Sequence, residues 1–155
     1  MTLLPPEVWF AQLPTFYCSA AALFTDQDGR VLLVKPNYRD HWGLPGGIVE
    51  ADEFPHAGCR REVSEELGID IDPGPLLVID WSPPRGPRPR AICSMLFEGG
   101  VLAADTPITL QAEELDDYAF VPRDTVPTLI PAFLTARVEA GLRARAAGHT
   151  IYLPA

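Results

Sequence analysis

The chain has 155 residues, 47% of them hydrophobic, which suits one globular domain with a single core. Its formal net charge of −9 argues against a nucleic-acid backbone or an anionic membrane as a partner, and the sequence predicts neither. Its 3 cysteines include no CxxC pair, which argues against a disulfide framework and against a zinc site. Because neither a signal peptide nor a long apolar stretch is recognisable, we expect a cytoplasmic protein.

The N-terminal part of the chain predicts a hairpin followed by an irregular loop. Residues 15–25 and 31–35 have the composition of strands, and the Asp28-Gly29 pair between them is typical of a hairpin turn. Residues 41–47, HWGLPGG, are interrupted by glycine and proline, so we expect no regular structure there.

A helix is predicted next, over the segment that follows this loop. Pro55 suits its first turn, and Gly68 suits the position just beyond its end. Asp52 or Glu53 is the expected N-cap. The apolar stripe that should face the core consists of Cys59, Val63 and Leu67. The acidic face of the helix then lies beside this buried stripe.

The rest of the chain predicts further strands and a last helix. The predicted elements are an antiparallel pair of strands at 76–81 and 91–98, a strand at 118–121, a helix at about 130–147 and a tail at 150–153 that pairs or packs. Strands interleaved with two helices predict an α/β fold whose mixed sheet is covered on both faces.

The acidic face of the predicted helix is the strongest functional signal. Glu62, Glu65 and Glu66 lie within about 100° of one another around a helix. Like charges at i and i+4 disfavour a helix by about 0.2–0.5 kcal/mol. Three carboxylates on one face indicate a site for a hard cation such as Mg²⁺ or Mn²⁺, and the alternative is a solvated helix face. Because Mg²⁺ also binds phosphate oxygens, such a site indicates a hydrolase of phosphoanhydrides.

The segment from Gly47 to Ile69 resembles a complete Nudix box. It contains, in order, Gly47, five residues, Glu53, seven residues, Arg61-Glu62-Val63, one residue, Glu65-Glu66, one residue and Gly68-Ile69. A looser resemblance extends from about Thr15 to Val121. It implies an α/β/α Nudix sandwich over residues 15–155. The N-terminal lead, residues 1–14, lies outside the box, and we expect its stretch from Leu3 to Leu13, with Trp9 and Phe10, to pack on the core or on a second subunit.

The resemblance also implies roles for individual residues. The implied metal ligands are Glu62, Glu65 and Glu66, together with the carbonyl of Gly46 or Gly47. Arg61 would orient a glutamate, and Glu53 would support the site. Water is the expected nucleophile, and an unprotonated carboxylate would accept its proton.

Two pairs of residues outside the box are further candidates. Family members often supply another glutamate from a later loop, so Glu113 or Glu114 would be an additional base or ligand, with a polar loop as the alternative. Arg85 and Arg88 lie in a loop with several prolines and have guanidinium groups suited to phosphate or ribose, although an exposed structural loop is equally compatible.

The resemblance implies a Mg²⁺-dependent hydrolase, in which Mn²⁺ can substitute, acting on a small phosphorylated nucleotide. The substrate class stays open between a nucleotide sugar such as ADP-ribose and a nucleoside triphosphate. The alternative function is a catalytically idle Nudix-fold module that binds or senses nucleotides. Because members of the family frequently form homodimers, a homodimer is also compatible with the resemblance.

Overall fold

The computed structural model of the protein describes residues 4–154. Its strands are β1 (Tyr17–Asp26), β2 (Val31–Pro36), β3 (Gly46–Ile48), β4 (Leu76–Ser82), β5 (Ile92–Leu102), β6 (Leu115–Val121) and β7 (Ile151–Pro154). Its helices are α1 (Pro6–Ala11), α2 (Pro55–Leu67), α3 (Val126–Leu129) and α4 (Ala132–Ala147). The strands form one mixed sheet in the order β6-β2-β1-β5-β4-β7, and β3 pairs with β1.

The strand pairings confirm most of the predicted topology. β1 and β2 form the hairpin, in which Thr25 pairs with Val31. β4 and β5 form the predicted antiparallel pair, and the C-terminal tail, as β7, pairs in parallel with β4. β1 lies parallel to β5, which makes the sheet mixed. The predicted α/β fold is therefore confirmed.

Two apolar layers cover the sheet because successive strand residues point to opposite faces. On one face Leu23, Leu33 and Leu96 pack with α4. On the other face Phe24 and Leu32 pack with α2, through the predicted stripe of Cys59, Val63 and Leu67, all at 0% exposure. The two helices thus enclose the sheet in an α/β/α sandwich.

Two arginines of α4 form ion pairs with carboxylates of the sheet. The guanidinium of Arg137 donates to Oδ2 of Asp80 from Nε at 2.9 Å and from Nη2 at 2.7 Å, and Asp80 is only 3% exposed. Arg145 binds Glu98 and also donates to the backbone carbonyl of Leu23. These bonds join α4 to β4, β5 and β1, so they hold the helix in register with the sheet.

The start of α2 differs from the prediction. Phe54 occupies the N-cap position in an extended conformation and makes no capping hydrogen bond through its side chain. The prediction of Asp52 or Glu53 as the cap was wrong. The carboxylate of Glu53 instead accepts hydrogen bonds from Arg61 and from the backbone N–H of Glu50.

The loop at 41–47 was predicted to be irregular, which is wrong for its last two residues. Gly46 and Gly47 begin β3 and pair with Ala21 and Ala20 of β1. Glycine weakens the local preference for a strand, but here the contact with β1 decides the conformation.

The N-terminal lead forms α1 and buries none of its helical residues. Trp9 and Phe10 are 49% and 63% exposed, so their expected packing on the core is wrong. Packing on a second subunit stays a prediction, and residues 1–3 lie outside the described part of the chain. The boundaries of the predicted domain also stay a prediction.

Within residues 4–154, no helix has the length and apolar character needed to cross a membrane. Cys18, Cys59 and Cys93 are free thiols. The cytoplasmic location predicted from the sequence stays a prediction.

We expect Arg137→Met to lower the free energy of unfolding by about 3–5 kcal/mol, because it leaves the buried Asp80 carboxylate without its cation. Urea denaturation measures the change. Arg143→Met is the matched control, since Arg143 lies on the exposed face of the same helix. Equal losses in both variants would contradict a role for the buried ion pair.

Candidate active site

The acidic residues of α2 lie beside its buried stripe. Because the stripe packs one face of α2 against the sheet, the neighbouring Glu62 and Glu66 lie partly in the protein interior. Glu66 is 5% exposed and the side chain of Glu62 is 16% exposed, whereas that of Glu65 is 50% exposed. Two of the three predicted carboxylates are therefore removed from most of the solvent.

Two glycines allow β3 to lie between β1 and α2. Gly46 has a φ of +142°, and a Cβ on it would lie 2.3 Å from the carbonyl oxygen of Ala20. A Cβ on Gly47 would lie 2.5 Å from Cδ of Glu62. The strand can therefore approach both neighbours closely only because these two positions carry no side chain.

Glu66 binds the backbone of β3. The N–H of Gly46 donates to Oε2 of Glu66 at 2.8 Å. The pKa of Glu66 is raised to about 8, mainly by burial and also by the nearby charges of Glu62, Glu114 and Glu65, while the Gly46 hydrogen bond acts in the opposite direction. In the absence of a bound cation, this carboxylate is therefore largely protonated at neutral pH.

Arg61 organises the remaining carboxylates. Its Nε and Nη2 donate to the two oxygens of Glu53 at 3.2 and 2.8 Å, and Nη2 also donates to the carbonyl of Ile48 at 3.1 Å. Nη1 donates to Glu62 at 2.8 Å and to Glu65 at 3.1 Å. The hydrogen bond from Arg61 lowers the pKa of Glu53. One guanidinium thus joins the loop before α2 to two carboxylates of the helix.

Glu114 brings a further negative charge to this cluster. Burial raises the pKa of Glu62, and although Arg61 opposes the shift, the charges of Glu65 and Glu114 add to it. Glu114 also raises the pKa of Glu66. The N–H of Gln111 donates to the carbonyl of Glu66, and the N–H of Glu114 donates to the carbonyl of Gln111, so the turn that carries Glu114 lies beside the end of α2.

The other outlying candidates lie in different surroundings. Glu113 is exposed, and its backbone carbonyl accepts a hydrogen bond from the side chain of Asn37. The guanidinium of Arg88 donates to three backbone carbonyls of its own loop, those of Ser82, Pro83 and Arg90. This arrangement favours a structural role for Arg88. Substrate contacts by Arg85 and Arg88 stay predictions.

The donors of this site fit a hard divalent cation, because they are carboxylates and backbone carbonyls. Arg61 binds the carboxylates of Glu53, Glu62 and Glu65, whereas that of Glu66 accepts the N–H of Gly46. Within residues 4–154, no group of three or more His, Cys, Asp or Glu side chains is arranged so that it could hold a metal ion. Arg61 and Gly46 hold the carboxylate oxygens instead, so the roles of Gly46, Glu62, Glu65 and Glu66 as metal ligands stay predictions.

Comparison with known families agrees with this geometry. The family model of the NUDIX domain matches residues 17–140. The chain belongs to the Nudix family. The matched range contains the box from Gly47 to Ile69, so the resemblance recognised in the sequence is confirmed.

Several relatives of this Nudix domain have been named. It is 28% identical over 113 residues to a putative ADP-ribose pyrophosphatase of Bacillus subtilis, and the alignment covers 68% of this chain and 50% of that protein. It is 33% identical over 139 residues to the human 8-oxo-dGDP phosphatase, and the alignment covers 86% of this chain and 41% of that protein. A solved MutT protein of Methanosarcina mazei has a TM-score of 0.69 at 25% identity, covering 87% of this chain and 96% of that one. The Nudix domain spans about half the length of the curated relatives it matches first.

Asn37 is a residue of this site that the sequence analysis missed. It lies directly after β2 and contacts the segment that carries Glu114. A single asparagine after a strand is a common turn residue. No motif or spacing distinguished it, so only the three-dimensional contact reveals it.

The raised pKa of Glu66 predicts how stability depends on pH in the metal-free protein. Between its ordinary pKa of 4.5 and about 8, the folded state keeps a proton that the unfolded chain has released. The free energy of unfolding should therefore fall as the pH rises through this range. We expect Glu66→Gln to be more stable than the wild type by roughly 2–5 kcal/mol at pH 8, with a much smaller difference at pH 5.

Urea denaturation in the presence of a chelator measures this difference. Asp52→Asn, at an exposed position in the turn before α2, is the control and should leave the pH dependence unchanged. A constant stability difference between Glu66→Gln and the wild type from pH 5 to pH 8 would contradict the shifted pKa.

Proposed function

We propose that this Nudix domain is a Mg²⁺-dependent hydrolase that cleaves a pyrophosphate bond in a nucleoside diphosphate linked to another moiety. The observation that carries the proposal is the nearly buried carboxylate of Glu66, on which the charges of three further glutamates act and which accepts a hydrogen bond from Gly46 of β3. A buried carboxylate beside further carboxylates is suited to a divalent cation, because the cation favours its ionised form, and an anionic substrate needs that cation to approach the site.

The residues that would hold Mg²⁺ are Glu62, Glu65, Glu66 and the carbonyl of Gly46. When bound, the cation supplies Lewis-acid polarisation of the phosphate oxygens and lowers the pKa of a coordinated water. Arg61 keeps Glu62 and Glu65 on one side of the helix through its hydrogen bonds. Glu53 in turn fixes the plane of the Arg61 guanidinium by accepting two of its N–H groups.

The proton of the attacking water needs an acceptor outside the ion pairs of Arg61. We propose Glu114 for this role, because it is exposed to solvent and its charge acts on both Glu62 and Glu66. Water adds to one phosphorus, the bridging P–O bond breaks, and the water proton passes to the Glu114 carboxylate.

For the substrate, we propose a nucleotide sugar such as ADP-ribose. The name of the Bacillus subtilis relative supports this class, and the name of the human relative supports an oxidised nucleotide as the competing class. Both classes contain a diphosphate group attached to a nucleoside. Arg85 is the loop arginine that we retain as a candidate substrate contact, since the guanidinium of Arg88 is engaged within its own loop.

The test is product analysis by chromatography with Mg²⁺ and a panel of ADP-ribose, other nucleotide sugars, dinucleoside polyphosphates and nucleoside triphosphates. We expect AMP and ribose phosphate from ADP-ribose, and loss of turnover when a chelator removes the metal. Glu66→Gln should lower kcat by at least about 100-fold, because it removes a carboxylate from the metal-holding set.

Asp52→Asn is the control for Glu66→Gln, and it should retain the activity of the wild type. A nucleoside monophosphate with pyrophosphate as products would move the assignment to the triphosphate class. Tight binding of one compound without any turnover would contradict the hydrolase and favour a module that only binds nucleotides.

Arg61→Lys should lower kcat by about 10- to 100-fold while KM changes little, because an ammonium group cannot reproduce the fork that joins Glu53 to Glu62. Steady-state kinetics on the substrate identified above measures both constants. Arg60→Lys is a matched control at the neighbouring position, since Arg60 is exposed and pairs with Asp70. Equal kinetics in the two variants would show that the Arg61 fork is not needed.

A further inference from the structure

Asn37 holds the short turn that carries Glu114. Its side-chain Nδ2 donates to the carbonyl of Glu113 at 2.8 Å. Its backbone N–H donates to the carbonyl of Glu114 at 2.9 Å. One residue at the end of β2 therefore holds two successive carbonyls at the point where the chain enters β6.

The other end of this turn is attached to the C-terminus of α2. The N–H of Thr109 donates to the carbonyl of Leu67 at 2.9 Å, and the N–H of Gln111 donates to the carbonyl of Glu66 at 3.1 Å. These bonds satisfy carbonyls that a helix end leaves without an intrahelical partner. The N–H of Glu114 donates to the carbonyl of Gln111 at 3.0 Å, which closes the turn.

The position of Glu114 thus depends on two attachments, one to α2 and one to Asn37. The attachment to α2 runs through backbone atoms and persists in any side-chain variant. The side-chain amide of Asn37 is the part that a substitution can remove. Because Asn37 is exposed, the hydrogen bond of its side-chain amide contributes little to global stability, so its removal should loosen the turn without unfolding the domain.

The next residue is held independently of this amide. Leu115 is 3% exposed and pairs with Pro36 in the β2–β6 ladder. A turn whose neighbouring residue is fixed in the core can still rotate locally when one of its carbonyl contacts is lost. The carboxylate of Glu114 would then change its direction relative to the acidic face of α2.

We propose that the side-chain amide of Asn37 positions Glu114 against the acidic face of α2 for hydrolysis, through its hydrogen bond to the carbonyl of Glu113. This inference rests on the proposed function, in which Glu114 accepts the proton of the attacking water. Asn37 is a positioning residue, since the reacting atoms are contacted by Glu114 and not by Asn37 itself.

The test is a double-mutant cycle with Asn37→Leu, which has a similar size and no donor, and Glu114→Gln. Asn37→Leu should lower kcat by about 5- to 30-fold and leave KM within about twofold, because a carboxylate is misplaced while substrate binding is retained. On the Glu114→Gln background, Asn37→Leu should change kcat by less than about twofold, because residues that act as one unit are not additive.

Hydrogen exchange over residues 111–115 provides a readout that does not depend on activity, and it should increase in Asn37→Leu while the urea midpoint stays near that of the wild type. Asp40→Asn, at an exposed position in the loop after β2, is the control and should match the wild type in kinetics and exchange.

Equal losses of kcat on both backgrounds, or no loss from Asn37→Leu, would overturn the positioning role. A Glu114→Gln enzyme with wild-type kcat would overturn it as well. In each of these cases the hydrolase assignment stands if Glu66→Gln abolishes turnover. Absence of turnover by the wild type on the whole panel would instead reject the proposed function, and the positioning role with it.

Discussion

The close contact between β3 and α2 is the constraint on which the rest of the site depends. Gly46 and Gly47 carry no side chains, so β3 can lie against β1 and approach the carboxylate of Glu62 at the same time. The N–H of Gly46 then binds Glu66 at 2.8 Å. A strand with ordinary side chains at these positions would push α2 outward, and Glu66 would no longer be both buried and bonded to the backbone.

This contact concentrates charge at a cost that the core offsets. Burial and neighbouring glutamates disfavour the ionised form of Glu66, as its raised pKa records. The stripe of Cys59, Val63 and Leu67 is fully buried, and each large apolar side chain contributes about 1.5–3 kcal/mol when it leaves water. Arg61 neutralises part of the remaining charge. The burial of this stripe therefore keeps α2 on the sheet, although its position disfavours the ionised form of Glu66.

The sequence predicted the features that depend on local pattern. The hairpin, the stripe of α2 and the carboxylate face follow from turn chemistry, from helical periodicity and from the Nudix box. The pairing of Gly46 with β1 was not predicted, because glycine signals an interruption and only the tertiary contact favours a strand. The choice of Glu114 over Glu113, and the presence of Asn37, depend on how a turn is attached to α2 and β2. No spacing along the chain encodes that attachment.

The acidic site poses an electrostatic problem for the diphosphate substrate proposed above, because both carry negative charge. With a formal net charge of −9 and clustered glutamates, the metal-free site repels an anionic substrate. A divalent cation would reverse the local sign and favour the ionised form of Glu66 beside Glu62. Glu66→Gln would remove the cost of ionising a buried carboxylate, yet it would also remove an oxygen ligand that the cation needs. Stability without metal and activity with metal therefore oppose each other at this residue, which is the trade-off expected where function keeps a strained group in place.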